Sequence, residues 1–67
     1  MNKIIRLNGE HRETGAQTVS DLLNSLNLPV ASLLVEHNGL ALLRDEWSLR
    51  QLAEDDRIEI VQIVAGG

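Results

Sequence analysis

Hydrophobic and polar positions alternate with period two at both ends of the chain, with a helical period between them. Residues 3–7 read as a strand in which Ile5 and Leu7 face inward and Arg6 outward. Asn8-Gly9 follows. Both residues tolerate positive φ, which makes the pair a strong hairpin signal. Residues 10–13 return as a polar strand, the composition of a sheet edge. After a loop over 14–17, a helix is predicted from Thr18. Thr18 and Asp21 have the spacing of a capping box. Val19, Leu22, Leu23 and Leu26 then recur at i, i+3, i+4 and i+7, on one core-facing stripe. The helix is expected to stop near Asn27, because Pro29 bars its continuation. Residues 33–36 read as a strand, 37–39 as a turn and 40–43 as a short strand. The stretch 45–52 fits no single period: Leu49 and Leu52 suit a helical turn, and Trp47 is expected to cap part of the core. Glu54-Asp55-Asp56 is a polar turn. The last strand, 57–64, carries the clearest alternation: Ile58 and Ile60 share one face, and Glu59, Val61 and Ile63 the other.

One helix among strands in this order makes an α+β fold. The first and last strands are both rich in β-branched residues and can pair at the centre of the sheet. That is the β-grasp layout: a mixed four- to five-stranded sheet with one main helix packed across it. Residues 1–67 are read as a single domain, with 65–67 as a flexible functional tail.

Composition narrows the function. A chain of 67 residues hides only roughly 60% of the surface its unfolded form exposes, enough for one core and too little for a walled cleft. The apolar share of 43% and charged share of 24% suit a globular domain. There is no Cys, which excludes disulfides, thiolate metal sites and thiol chemistry. The net charge is −4, no basic cluster is present, and Phe and Tyr are absent. Phosphate neutralisation and base stacking are therefore not expected, and with them no nucleic acid. The acidity serves solubility or steers the chain toward a basic partner surface. No apolar run approaches the ~20 residues of a membrane span, and the N-terminal run is too short for a signal peptide. A cytoplasmic address is expected. His11 and His37 have no metal-motif spacing and read as solvated surface residues. Trp47 reads as packing. Arg44 and Arg57 pair either with acidic groups of the chain or with a partner.

The chemistry is expected at the end of the sequence. Val64-Ala65-Gly66-Gly67 follows the last strand with no polar spacer. Two glycines without side chains can thread a narrow channel and present a free Gly67 carboxylate to a nucleotide phosphate. Adenylation would make that carboxylate a mixed anhydride, and a sulfur nucleophile would convert it to a thiocarboxylate. A carrier of this kind needs no cysteine. Val61, Ile63 and Val64 lead into the tail and form either an apolar docking patch or extra burial under a loop.

In order and spacing, several segments match one family. They are Leu7-Asn8-Gly9-Glu10, Thr18-Val19-Ser20-Asp21-Leu22-Leu23, Asn38-Gly39, Arg44-Asp45-Glu46-Trp47, the run 52–61 and Val64-Ala65-Gly66-Gly67. The chain resembles the ThiS family of thiamine-biosynthesis sulfur carriers over essentially its whole length. The resemblance implies a ubiquitin-like fold. It implies a Gly67 adenylated by a ThiF-like activating enzyme that uses ATP, a sulfur-donor protein, and delivery to a ThiG-like thiazole synthase. Gly66 and Ala65 would complete the tail. The chain would be a monomer on its own and a cosubstrate, not an enzyme, with no bound cofactor or metal. Two positions depart from the family pattern: Leu43 stands where Pro is common, and Asp55 where Gly is common. The alternatives are a carrier like the small subunit of molybdopterin synthase, a ubiquitin-like protein modifier or interaction module, and a stand-alone enzyme.

Overall fold

Asn8-Gly9 and Asn38-Gly39 close two hairpins around which the sheet is built. The computed structural model describes residues 2–63. In both pairs the Asn has φ 51° and the Gly φ 84° or 85°, positive at both central positions as a two-residue type I′ turn requires. The first turn joins β1 (Lys3–Leu7) to β2 (Glu10–Thr14), and the second joins β3 (Leu33–His37) to β4 (Leu40–Leu42). Between the hairpins comes α1 (Val19–Ser25), and the last element is β5 (Arg57–Gln62). The sheet order is β2-β1-β5-β3-β4. β5 is parallel to β1 and antiparallel to β3, so the first and last strands meet in the middle as the sequence predicts.

The helix begins as its sequence dictates. Asp21 N–H donates to the Thr18 hydroxyl at 3.1 Å, and the Asp21 carboxylate accepts from Thr18 N–H at 3.3 Å. Val19, Leu22 and Leu23 are buried; Leu26, the C-cap, is half-buried against the same core. Asn27, at φ 55°, then turns the chain out of the helix. α1 packs on the sheet face that presents Ile5, Val35 and Ile58, each at most 1% exposed. Burial of such a side chain contributes about 1.5–3 kcal/mol.

The stretch 45–52 resolves into a 3-10 turn over Arg44–Glu46 followed by irregular chain. Backbone bonds hold it to the start of α1: Val19 N–H donates to Arg50 O, Ser20 N–H to Trp47 O and Leu52 N–H to Gln17 O, all within 3.0 Å. Trp47 is buried in the core as expected and so is Leu52, whereas Leu49, its companion in the predicted helical turn, is 75% exposed. β4 stops at Leu42, one residue short of the sequence reading, and Leu43 donates its N–H to the Glu46 carboxylate at 2.7 Å. A Pro at 43 would lack that donor. Asp55 has φ 69°, the left-handed region that explains why Gly suits this turn. The last strand ends at Gln62, short of the predicted 64.

Candidate functional site

The predicted tail, Val64, Ala65, Gly66 and Gly67, lies outside the described residues. What the structure describes is the surface that leads to it. Alternation along β5 turns Ile58 and Ile60 toward the helix and Glu59 and Val61 toward the open face of the sheet. Val61 is 58% exposed and Ile63 49%, so no loop among the described residues covers them. β3 adds a residue that the sequence reading missed. Leu34 pairs with Val61 across the two strands and is itself exposed. Its position within Leu33-Leu34-Val35 hid it, because an unbroken apolar run does not reveal which member faces out.

Below this apolar pair the open face is charged. Glu36 pairs with Glu59 across β3 and β5, and Arg6 pairs with Arg57 across β1 and β5. Glu36, Gly39, Arg57 and Glu59 line a shallow hollow there. Of the two pairings left open for Arg57, the one with an acidic group of the chain is not found: among the described residues the one ion pair is His37–Asp56. Arg44 instead reaches the carbonyl of Val30 at 3.4 Å.

Both turn asparagines hold β5 in place. The Asn8 side chain accepts from Ile60 N–H at 2.7 Å and donates to Ile60 O at 3.2 Å. On the other flank, the Asn38 side chain accepts from Arg57 N–H at 2.8 Å. The strand that leads toward the tail is thus gripped from both sides beyond its ladder bonds.

His37 corrects the sequence reading. It is 6% exposed, not solvated, because the β3 alternation turns it inward beside Ile58. Its Nδ1 lies 3.2 Å from Arg50 Nε and 3.1 Å from Arg50 Nη2. A guanidinium offers only donors, so Nδ1 accepts, and Nε2 carries the hydrogen that it donates to Asp56 Oδ2 at 2.7 Å. Burial alone would raise the Asp56 carboxyl. Hydrogen bonds from His37, the Asn38 amide and Ala53 N–H outweigh it and hold the carboxyl below its usual value. The cluster ties the end of β3, the segment before β5 and the turn into β5 together. No local signal in the sequence marks it, since its members stand 13 and 19 residues from His37. His11 lies exposed on β2, as expected.

Nothing else described gathers catalytic groups. A groove of about 340 Å³ between the end of α1 and the sheet is lined by residues such as Leu26, Leu28 and Ile60 and has no titratable side chain. Among the described residues no three His, Asp or Glu side chains come together as a metal site. No described helix is long and apolar enough to cross a membrane.

A mixed five-stranded sheet with parallel central strands, two flanking hairpins and one helix across a single face defines a ubiquitin-like β-grasp protein. The comparisons with known proteins give the family. The ThiS family matches residues 3–67, and this chain belongs to it. The crystal structure of the thiamine biosynthesis protein ThiS from Geobacter metallireducens superimposes with a TM-score of 0.80 at 28% identity, covering 100% of both chains. An uncharacterised protein of Trieres chinensis, ycf40, is 33% identical over 66 residues, 97% of this chain and 90% of that protein. A thiazole synthase of Magnetococcus marinus is 36% identical over 64 residues, 94% of this chain but only 20% of that protein.

Proposed function

We propose that this chain is the sulfur carrier for thiazole formation in thiamine biosynthesis, with sulfur held on the Gly67 carboxylate. The observation that carries this reading is the reach of the family match, which runs through Gly66 and Gly67. An activating enzyme of the ThiF type joins the carboxylate to the α-phosphate of ATP, and pyrophosphate leaves. A sulfur nucleophile attacks the acyl carbon, and AMP leaves. Sulfide gives the thiocarboxylate directly. A persulfide on a donor protein gives an acyl disulfide, which a thiol opens to the thiocarboxylate while itself ending in a disulfide. In this scheme ATP is consumed by the activating enzyme, and the chain is a cytoplasmic cosubstrate that binds no cofactor.

Gly66 and Ala65 keep the tail narrow for the activating site. Val61, Ile63 and Val64 supply the apolar docking surface, which Leu34 extends. A thiazole synthase of the ThiG type is the acceptor. The relative from Magnetococcus marinus supports this choice, because a segment similar to this chain lies within a thiazole synthase. The test is transfer: thiocarboxylated chain is mixed with thiazole synthase and its substrates, and its intact mass is followed. The expected result is loss of sulfur for oxygen together with formation of the thiazole. Retention of the sulfur by a synthase shown to be active with another carrier would contradict the reading.

A further inference from the structure

The like-charged pair on the open face identifies the chemistry of the surface that docks there. Glu36 and Glu59 stand directly opposite each other on adjacent strands near the middle of the sheet. Side chains so placed have Cβ atoms roughly 4.5–5.5 Å apart, and like charges there destabilise the sheet. Arg57 shares their hollow, yet among the described residues it forms no ion pair with either carboxylate. Arg57 is itself opposite Arg6. The free chain thus carries a repulsion at its central strands that a neutral residue at either position would remove. Next along the same strands is the exposed apolar pair Leu34–Val61. A partner that sets a cation over the carboxylates and an apolar side chain over Leu34–Val61 relieves the repulsion and covers the apolar surface together. The arginine row beyond the glutamates repels a cation, which fixes the direction in which such a partner lies.

We infer that the thiazole synthase, an enzyme in which a segment similar to this chain is found in one relative, presents an arginine or lysine to the Glu36–Glu59 pair, beside an apolar contact to Leu34–Val61. The inference rests on the carrier reading above and goes further by naming the counter-charge. It makes a paired demand that a merely solvated face would not meet. Neutralising a glutamate should stabilise the free protein and weaken the complex.

The experiment uses the full chain with Glu36→Gln and Glu59→Gln, singly, and the purified thiazole synthase of the same organism as the probe. Melting of the free chains is measured at low salt. Each variant should melt higher than wild type, by about 1–5 °C. Association with the synthase is measured as a function of salt. Each variant should bind about tenfold more weakly at low salt, with a shallower salt dependence than wild type. Unchanged affinity with an unchanged salt slope overturns the inference. So does a fall in melting temperature, which would show that the pair does not oppose folding. Normal binding to the synthase combined with slow thiocarboxylation would place the cation on the activating enzyme and overturn the assignment made here. Thiocarboxylation of wild type is run in parallel. A wild-type chain that becomes thiocarboxylated while these variants bind normally sinks the charge pairing alone. A wild-type chain that is neither thiocarboxylated nor bound sinks the carrier reading beneath it as well.

Discussion

Asn8 and Asn38 each do two jobs that the sequence advertises only once. Both take the positive φ of their turns, which Asn-Gly announces. Both then reach sideways to the backbone of β5, which nothing local announces. Replacing either with Ala strains the turn and leaves a β5 N–H without its partner. A loss of about 1–2 kcal/mol in urea melts is expected for each. Asp55 behaves in the opposite sense. Its φ of 69° suits Gly, so Asp55→Gly is expected to stabilise the fold by about 0.5–1 kcal/mol in the same assay. Asp56 sets a pH dependence. Its carboxyl is lowered in the folded state and titrates near the usual ~3.9 when unfolded. The unfolded chain therefore takes up the proton first. The contribution of Asp56 is fully present above about pH 5 and is lost as pH falls through the folded value. Asp56→Asn should be the less stable protein at neutral pH, and the gap to wild type should close in acid. Fluorescence of Trp47, the chain's one tryptophan, reads both melts in the absence of Tyr.

At the scale of elements, β5 has two faces with separate duties. Ile58 is fully buried beneath α1, and Ile58→Ala is expected to cost about 2–5 kcal/mol. Three residues on, Val61 is exposed on the open face. Val61→Asp should cost only about 1 kcal/mol in the melt while slowing thiocarboxylation or transfer about tenfold. Equal effects of the two substitutions on stability would contradict this division. The two faces were legible because strict alternation survives from Arg57 to Val61. The helix was legible because its cap and its stripe are local, from Thr18 through Leu26. The segment 45–52 was not legible, because its conformation is fixed by backbone bonds to residues 17–20 and not by its own period. The same limit hid His37. Its burial follows from the β3 alternation, but its satisfaction depends on Arg50 and Asp56, which only the folded chain brings near. The open face was legible in part: the exposure of Val61 could be read from the alternation of β5, whereas Leu34 and the pairing of Glu36 with Glu59 needed the register of β3 against β5, and the tail lies outside the described residues.

At the scale of the whole molecule, a β-grasp fold stands beside the chemistry proposed for its tail, which needs no nucleophile of the chain's own. The family match across residues 3–67 and the likeness to ThiS over the full chain join the fold to the Gly66-Gly67 tail. The absence of Cys gives this account a sharp test. A thiol-directed alkylating reagent has no thiol to attack in the unmodified chain, so it will mark a thiocarboxylate alone. The decisive measurement is the intact mass of the chain after incubation with the activating enzyme, ATP and sulfide, followed by alkylation, with a Gly67 deletion in parallel. The account predicts one alkyl group per chain plus the mass of sulfur minus oxygen, dependent on ATP and absent from the deletion. Oxidation of Met1 adds nearly the same mass as that exchange but takes up no alkyl group, so it cannot mimic the result. An unalkylated wild-type chain, with the activating enzyme shown competent on another carrier, would contradict the central claim.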